Sequence, residues 1–246
     1  MVSSATLAPA PKRRRAIKTV LKRALQPALT AVFRRLHDLS ERFVEADLPT
    51  FANQPKNLHI ELPRRIAGAE CMQIGDNVRI GPGSLLVAQT SYPSIEMQNP
   101  DDPVPLQHFE PKIRIGHRVT ATGALTIDAM QQIVIEDDVM FASNIIIMDG
   151  LHGFARADIP YKYQPMWRFA PVLIGRGSWI AQNVVIMPGV TIGPYSIIGA
   201  NSIVTQDIPA QSMAFGNPAR VVKRWNARMQ RWDNAQISSP ANNEIR

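Results

Sequence analysis

Residues 174–209 read IGRGSW IAQNVV IMPGVT IGPYSI IGANSI VTQDIP when broken into sixes. Ile174, Ile180, Ile186, Ile192, Ile198 and Val204 open the six units without a slip. A small residue usually stands second, and Ser or Val usually stands fifth. Six is neither the 3.6-residue period of a helix nor the simple alternation of a strand. Self-similarity at a fixed period is the mark of a solenoid. A short strand plus a tight turn uses about six residues, and three such units close a triangular coil. The aliphatic residue of each unit then points inward and stacks on its counterpart one coil later. Each such burial contributes roughly 1.5–3 kcal/mol, and neighbouring coils support one another.

Earlier parts of the chain carry the same beat in fragments. Ile74 and Ile80 keep it, as do Ile115, Ala121 and Ile127; after a drift of two residues, so do Ile135, Phe141 and Ile147. Two stretches break it. Residues 88–112 are rich in Pro and Asp and predict a long loop. Residues 148–171 contain DGLHG and predict a second.

Composition narrows the choices further. The 246-residue chain is 45% hydrophobic and 19% charged, which suits a folded core. Its single cysteine, Cys71, rules out an internal disulfide framework. Nine of the 27 Lys and Arg residues precede position 38 with no acid among them, leaving 18 basic against 20 acidic residues elsewhere. The basic character therefore belongs to an arm, and a nucleic-acid-binding body is not expected. No apolar run reaches the ~18 residues of a membrane span, and the N-terminus lacks the pattern of a secretory signal.

The organisation expected is a disordered 1–11, a basic amphipathic helical arm over 12–45, a lead-in over 46–70, the solenoid over 71–208 and a C-terminal extension over 209–246. In the arm, Ile17, Leu21, Leu25, Leu29, Phe33 and Leu36 form one stripe, and Pro27 is expected to kink or split the helix. Such a helix either lies on an anionic membrane surface or packs its stripe on protein.

Residues 70–225, and above all 171–225, resemble the hexapeptide-repeat acyltransferases, in particular the maltose, galactoside and exopolysaccharide O-acetyltransferases. The resemblance implies an all-β solenoid, a left-handed parallel β-helix, here with an N-terminal helical extension. It implies a homotrimer with its active site in the cleft between two chains. It also implies direct transfer of an acyl group, acetyl being commonest, from acetyl-CoA to a sugar hydroxyl, with no metal.

An alcohol needs a base to become a nucleophile, and histidine is the usual one. Among five histidines, only His152 lies in the segment that the family uses for catalysis. Relatives often read DHxHG where this chain reads DGLHG, so Gly150 holds the first position and His152 is the candidate base. Asp149 is a candidate to orient its imidazole, or else caps a turn. Asn144, Tyr161 and Trp167 are candidates for the acceptor sugar. The resemblance places Trp179, Ala181, Gln182, Ala200, Thr205 and Arg220 along the coenzyme, with Arg220 toward a phosphate.

Two rivals stand beside this reading. A zinc hydratase on the same fold needs three histidines, and the repeat region offers only His117 and His152. A non-catalytic scaffold or glycan-binding trimer keeps the fold without the chemistry. If the acceptor is a lipid-linked saccharide, the basic arm would hold the enzyme at the cytoplasmic face of an anionic membrane.

Overall fold

In a computed structural model of the chain, residues 25–36, 39, 43 and 47–235 are described. The expectations for residues 1–24 and 236–246 lie outside them, as does His37. Residues up to Asp47 and residues from Leu48 onward form two separate units.

In the first unit, residues 25–36 are helical, with Pro27 near the start of that stretch. The Thr30 hydroxyl donates to the Gln26 carbonyl (2.8 Å). Leu25, Leu29, Val32, Phe33 and Leu36 hold the three- and four-residue spacing of one stripe and are all exposed.

The second unit is a left-handed β-helix with three parallel faces. The inward residues make three columns in strict register. Along the first face Ile60, Ile80, Ala121, Phe141, Ile180, Ile198 and Ala214 lie on one another. The second stacks Ile66, Leu86, Ile127, Ile147, Ile186 and Val204. The third stacks Ile74, Ile115, Ile135, Ile174 and Ile192. Every residue of the sixfold beat is an inward member of a column and is at most 4% exposed.

The small second position has a steric reason. A β-carbon on Gly75 would stand 2.5 Å from the Gly116 backbone, and one on Gly175 2.4 Å from Pro194 N. The next coil's main chain occupies the space that a side chain would need. Other corners require a left-handed residue, and Asn144, Asn183 and Asn201 supply it with φ near 60°. Their side chains bond in a ladder, Asn144 to Asn183 (3.1 Å) and Asn183 to Asn201 (3.0 Å).

The coils begin earlier than the spacing predicts. His59–Ile60 and Arg64–Ala67, in the expected lead-in, already pair with Arg79–Ile80 and Ser84–Ala88. The C-terminal stretch also joins the structure. Ser212–Gly216 extends the first face in parallel; Ala219–Asn226 and Arg231–Asn234 then fold back antiparallel.

Candidate active site

Three successive coils pass from the second face to the third in different ways. Between Ser84–Ala88 and Lys112–Ile115 the chain makes the loop 89–111. Between Leu125–Ala129 and Gln132–Ile135 it turns in two residues, Met130 and Gln131. Between Ile145–Met148 and Val172–Ile174 it makes the loop 149–171. Both loops leave the same edge of the solenoid, with the short turn between them.

Each loop contains a small antiparallel hairpin, Ser91–Tyr92 with Gln107–His108 and Leu151–His152 with Met166–Trp167. The two loops are joined to each other. The Gln107 side-chain amide pairs with the Met166 backbone as a strand would: Met166 N–H donates to Oε1 (2.7 Å) and Nε2 donates to the Met166 carbonyl (3.1 Å). Tyr92, Met130 and Met166 form a small buried core with Phe109 against it, and Phe109 meets the Phe169 ring at 5.2 Å. Burial pushes the Tyr92 phenol upward, so it stays a hydroxyl and donates to the Lys162 carbonyl (2.5 Å). Gln164, itself buried, ties the loop inside by bonding both ways to the Arg156 backbone.

His152 sits on this platform with its side chain exposed. The Tyr92 ring meets it edge-on, with centroids 5.3 Å apart. Thus the imidazole is both accessible and braced from one side. The Gly150 position is filled by neighbours: a β-carbon there would lie 3.0 Å from Met130 Sδ and from the Phe169 ring.

Asp149 does not orient this histidine. It is fully buried, and its carboxylate accepts the N–H groups of Met130 (2.7 Å) and Gln131 (2.9 Å). These two residues are the drift in the sixfold beat, and Asp149 satisfies the backbone donors that the extra residues leave over. Burial pushes its carboxyl above the ordinary range, and the backbone bonds pull the other way without prevailing.

Asp128, which sequence reasoning passed over, lies beside it. The Asp149 N–H reaches the Asp128 carbonyl (3.4 Å), and Asp128 pairs with Met148 across the second face. Its side chain points away from the core, yet Oδ1 is buried with no hydrogen-bond partner. Burial and the neighbouring Asp149 raise its carboxyl, and His152 acts to lower it.

The remaining candidates occupy other places. Tyr161 and Trp167 are exposed on the His152 loop, and Trp167 stands edge-on to Phe154 at 4.9 Å. Asn144 lies at the opposite edge of the second face, in the asparagine ladder. Gln182 and Ala200 are exposed on that same edge in later coils, and Ala181 there is buried. Thr205 follows the second-face strand Ile203–Val204, so it shares the edge of His152 two coils on. Trp179 is exposed on the first face, and Arg220 stands in the antiparallel strand opposite Phe215. Within one chain, roughly 13 Å of extended strand, four residues at ~3.3 Å each, separates the asparagine edge from the histidine edge. Among the described residues no group of three or more His, Cys, Asp or Glu side chains is placed to hold a metal ion.

Comparison with known proteins agrees with this architecture. Residues 171–206 match the family described as bacterial transferase hexapeptide (six repeats). The galactoside O-acetyltransferase of Escherichia coli (strain K12) is 41% identical over 116 residues, 47% of this chain and 56% of that protein. WbbJ of the same organism, named for lipopolysaccharide biosynthesis O-acetyl transfer, is 33% identical over 116 residues, 44% of this chain and 59% of that protein. The chain thus spans between half and two thirds of the length of these curated relatives. A variant of the Bacillus cereus N-acyltransferase AntD, crystallised with dTDP and coenzyme A, superposes with a TM-score of 0.56 over 77% of this chain and 90% of its own, at 21% identity, a likeness of fold. In sequence and in fold the chain is similar to hexapeptide-repeat proteins, among them the sugar O-acetyltransferases.

Proposed function

We propose that this hexapeptide-repeat chain is a coenzyme A-dependent O-acyltransferase that moves an acetyl group onto a hydroxyl of a sugar or polysaccharide precursor. The observation that carries the reading is the exposed imidazole of His152, held on a braced hairpin at the edge of a repeat similar to those of sugar O-acetyltransferases.

The chemistry is direct transfer. An imidazole nitrogen of His152 takes the proton of the acceptor hydroxyl as its oxygen bonds to the thioester carbonyl carbon. Backbone N–H groups stabilise the oxyanion of the tetrahedral intermediate. The carbon–sulfur bond then breaks, and the imidazolium returns its proton to the departing sulfur. An ester and a thiol result. Tyr161 and Trp167 offer exposed aromatic faces to the acceptor on the same loop.

The coenzyme lies along the later coils, past Trp179, Ala181, Gln182, Ala200 and Thr205, with Arg220 toward a phosphate. Several of these residues stand on the edge opposite His152, so a second copy supplies one half of each site. The outer surface of the second face supports that arrangement. It carries Leu85, Val87, Ile146, Met148, Val185 and Ile203 beside Arg65, Thr126 and Asp128, where the third face carries Gln73, Lys112, Arg114 and Gln132 beside Val134 and Leu173. Three copies packed through this surface bury apolar area and bring the two edges together.

The test is thiol release from acetyl-CoA with a panel of glycosides and oligosaccharide acceptors. His152→Ala is expected to lower kcat by at least 10²-fold with its melting temperature retained, since base catalysis contributes about 10²–10⁴-fold. Equal turnover by the variant would refute the assignment, and a wild type inert toward every acceptor would favour the non-catalytic scaffold.

No helix among the described residues is long and apolar enough to cross a membrane. The finer placement rests on the arm: its exposed stripe and its cations favour adsorption to the cytoplasmic face of an anionic bilayer, beside a lipid-linked acceptor. Vesicles containing phosphatidylserine should co-sediment the whole chain at low salt and release it as salt rises. Equal sedimentation of a chain lacking residues 1–39 would end that placement.

A further inference from the structure

Charge is unevenly shared within the solenoid unit. Residues 48–218 hold eleven Lys and Arg against fourteen Asp and Glu. Residues 219–235 hold Arg220, Lys223, Arg224, Arg228 and Arg231 against Asp233 alone. That one acid is engaged: Asn226 Nδ2 (2.6 Å) and Arg231 Nε (2.8 Å) donate to it, and these bonds hold its carboxyl below the usual range. No ion pair among the described residues engages the other four cations. Arg220 has a place in the coenzyme reading; Lys223, Arg224 and Arg228 have none.

The antiparallel return carries this charge to an overhanging tip. Ala219–Asn226 follows Ser212–Gly216 as far as Arg224, opposite Ser212, and the Trp225 N–H reaches the Gln211 carbonyl (2.9 Å). Past Trp225 the strand pairs with its own return, Asn226 with Arg231, before the turn at 227–230. The Met229 N–H donates to Asn226 Oδ1 (3.0 Å) and fixes that turn. All four turn residues are exposed, and the Met229 side chain projects at 55% exposure. Directly opposed residues share a side of a ribbon. Trp225 and Trp232 therefore stand together, half-buried, with Lys223 and Asn234 on their side. From the tip inward the order is an apolar side chain with Arg228 beside it, Arg231, the indole pair, then Arg224 and Lys223.

We propose that this ribbon tip is a docking element for the surface of an anionic phospholipid bilayer. Negative headgroups over hydrocarbon call for that order of side chains. An apolar group reaches below the headgroups, indoles settle at their level, and Lys and Arg bring their charge to the phosphates. A soluble polyanion would need the cations alone and would leave Met229 and the indoles without a use. The contact is separate from the helical arm, and it goes beyond the acyl-transfer reading without depending on it.

The experiment uses the full chain with Met229→Cys carrying a nitrobenzoxadiazole label, and wild type, whose one thiol is Cys71, as the background. Vesicles are of phosphatidylcholine with or without phosphatidylserine, and some carry a doxyl quencher in their acyl chains. The label at position 229 should brighten and shift to the blue only with phosphatidylserine, and the doxyl lipid should quench it. In the unlabelled chain, Arg224→Glu with Arg228→Glu should weaken partition to these vesicles by more than about tenfold, each surface cation contributing about fivefold. The melting temperature should be retained, because both side chains are exposed. A silent label on vesicles that sediment the chain assigns adsorption to the arm and overturns the proposal, as does equal partition of the charge-reversed chain. The same emission change with dextran sulfate, without quenching by doxyl lipid, overturns it in favour of a polyanion site. A quenched label in a protein that transfers no acyl group upholds the docking and removes the enzymatic reading instead.

Discussion

Asp128 and Asp149 stand side by side and carry the same side chain, but only Asp149 meets backbone donors, while Asp128 Oδ1 is buried with no hydrogen-bond partner. Asp149 holds a turn: Asp149→Ala would leave the Met130 and Gln131 donors without their acceptor, at a cost of about 1–3 kcal/mol. Urea unfolding should show that loss. Both carboxyls titrate above the usual range because burial disfavours their charge. A carboxyl whose pKa is raised on folding adds stability that is complete below the unfolded value and is lost as pH rises through the folded one. The wild type should thus be more stable on the acid side of that window, and Asp128→Asn should flatten the dependence and stabilise the chain at neutral pH. None of this was legible in the sequence. Asp128 follows the in–out alternation of its strand like any outward polar residue, and no local pattern marks that its Oδ1 is buried. The place of His152 on a loop was legible, because the interruption of the beat drew attention to that segment.

The element that decides the site is the pair of loops rather than either alone. Their contacts join residues 59 and 70 positions apart, Gln107 with Met166 and Tyr92 with Lys162, so no local pattern announces them. Gln107→Ala removes both bonds to Met166 and frees the far strand of the His152 hairpin. Limited proteolysis should then cut within 150–170 while the coils stay intact, and turnover should fall about tenfold with little change in melting temperature. An unchanged digestion pattern would show that the small Tyr92, Met130 and Met166 core holds the loop unaided. The solenoid itself was legible, since each inward residue of the beat faces its copy in the next coil and the columns are contiguous. Its first coil escaped notice even though Ile60 and Ile66 keep the six-residue interval, because Pro63 and the lone pair of residues carried too little repetition to stand out.

For the molecule as a whole, the division of the proposed site residues between two edges has a test of its own. If each site takes His152 from one chain and the coenzyme surface from another, two inactive variants can rescue each other. Mixing His152→Ala with Ala200→Trp, which crowds the coenzyme edge, should restore up to about a quarter of wild-type turnover after dissociation and reassembly, by the statistics of closed rings. No recovery, with hybrid trimers shown by native mass spectrometry, would place both halves in one chain. The antiparallel return at the C-terminus bears on association of a different kind. A parallel solenoid ends in a row of open backbone donors and acceptors, a template on which another chain can add. Here Ala219–Asn226 and Arg231–Asn234 run against the grain and are pinned by Trp225 against Trp232 at 5.5 Å. A reversed ribbon carrying Arg220, Lys223 and Arg224 makes poor seed for a fibre, so addition of another chain along the first face is discouraged.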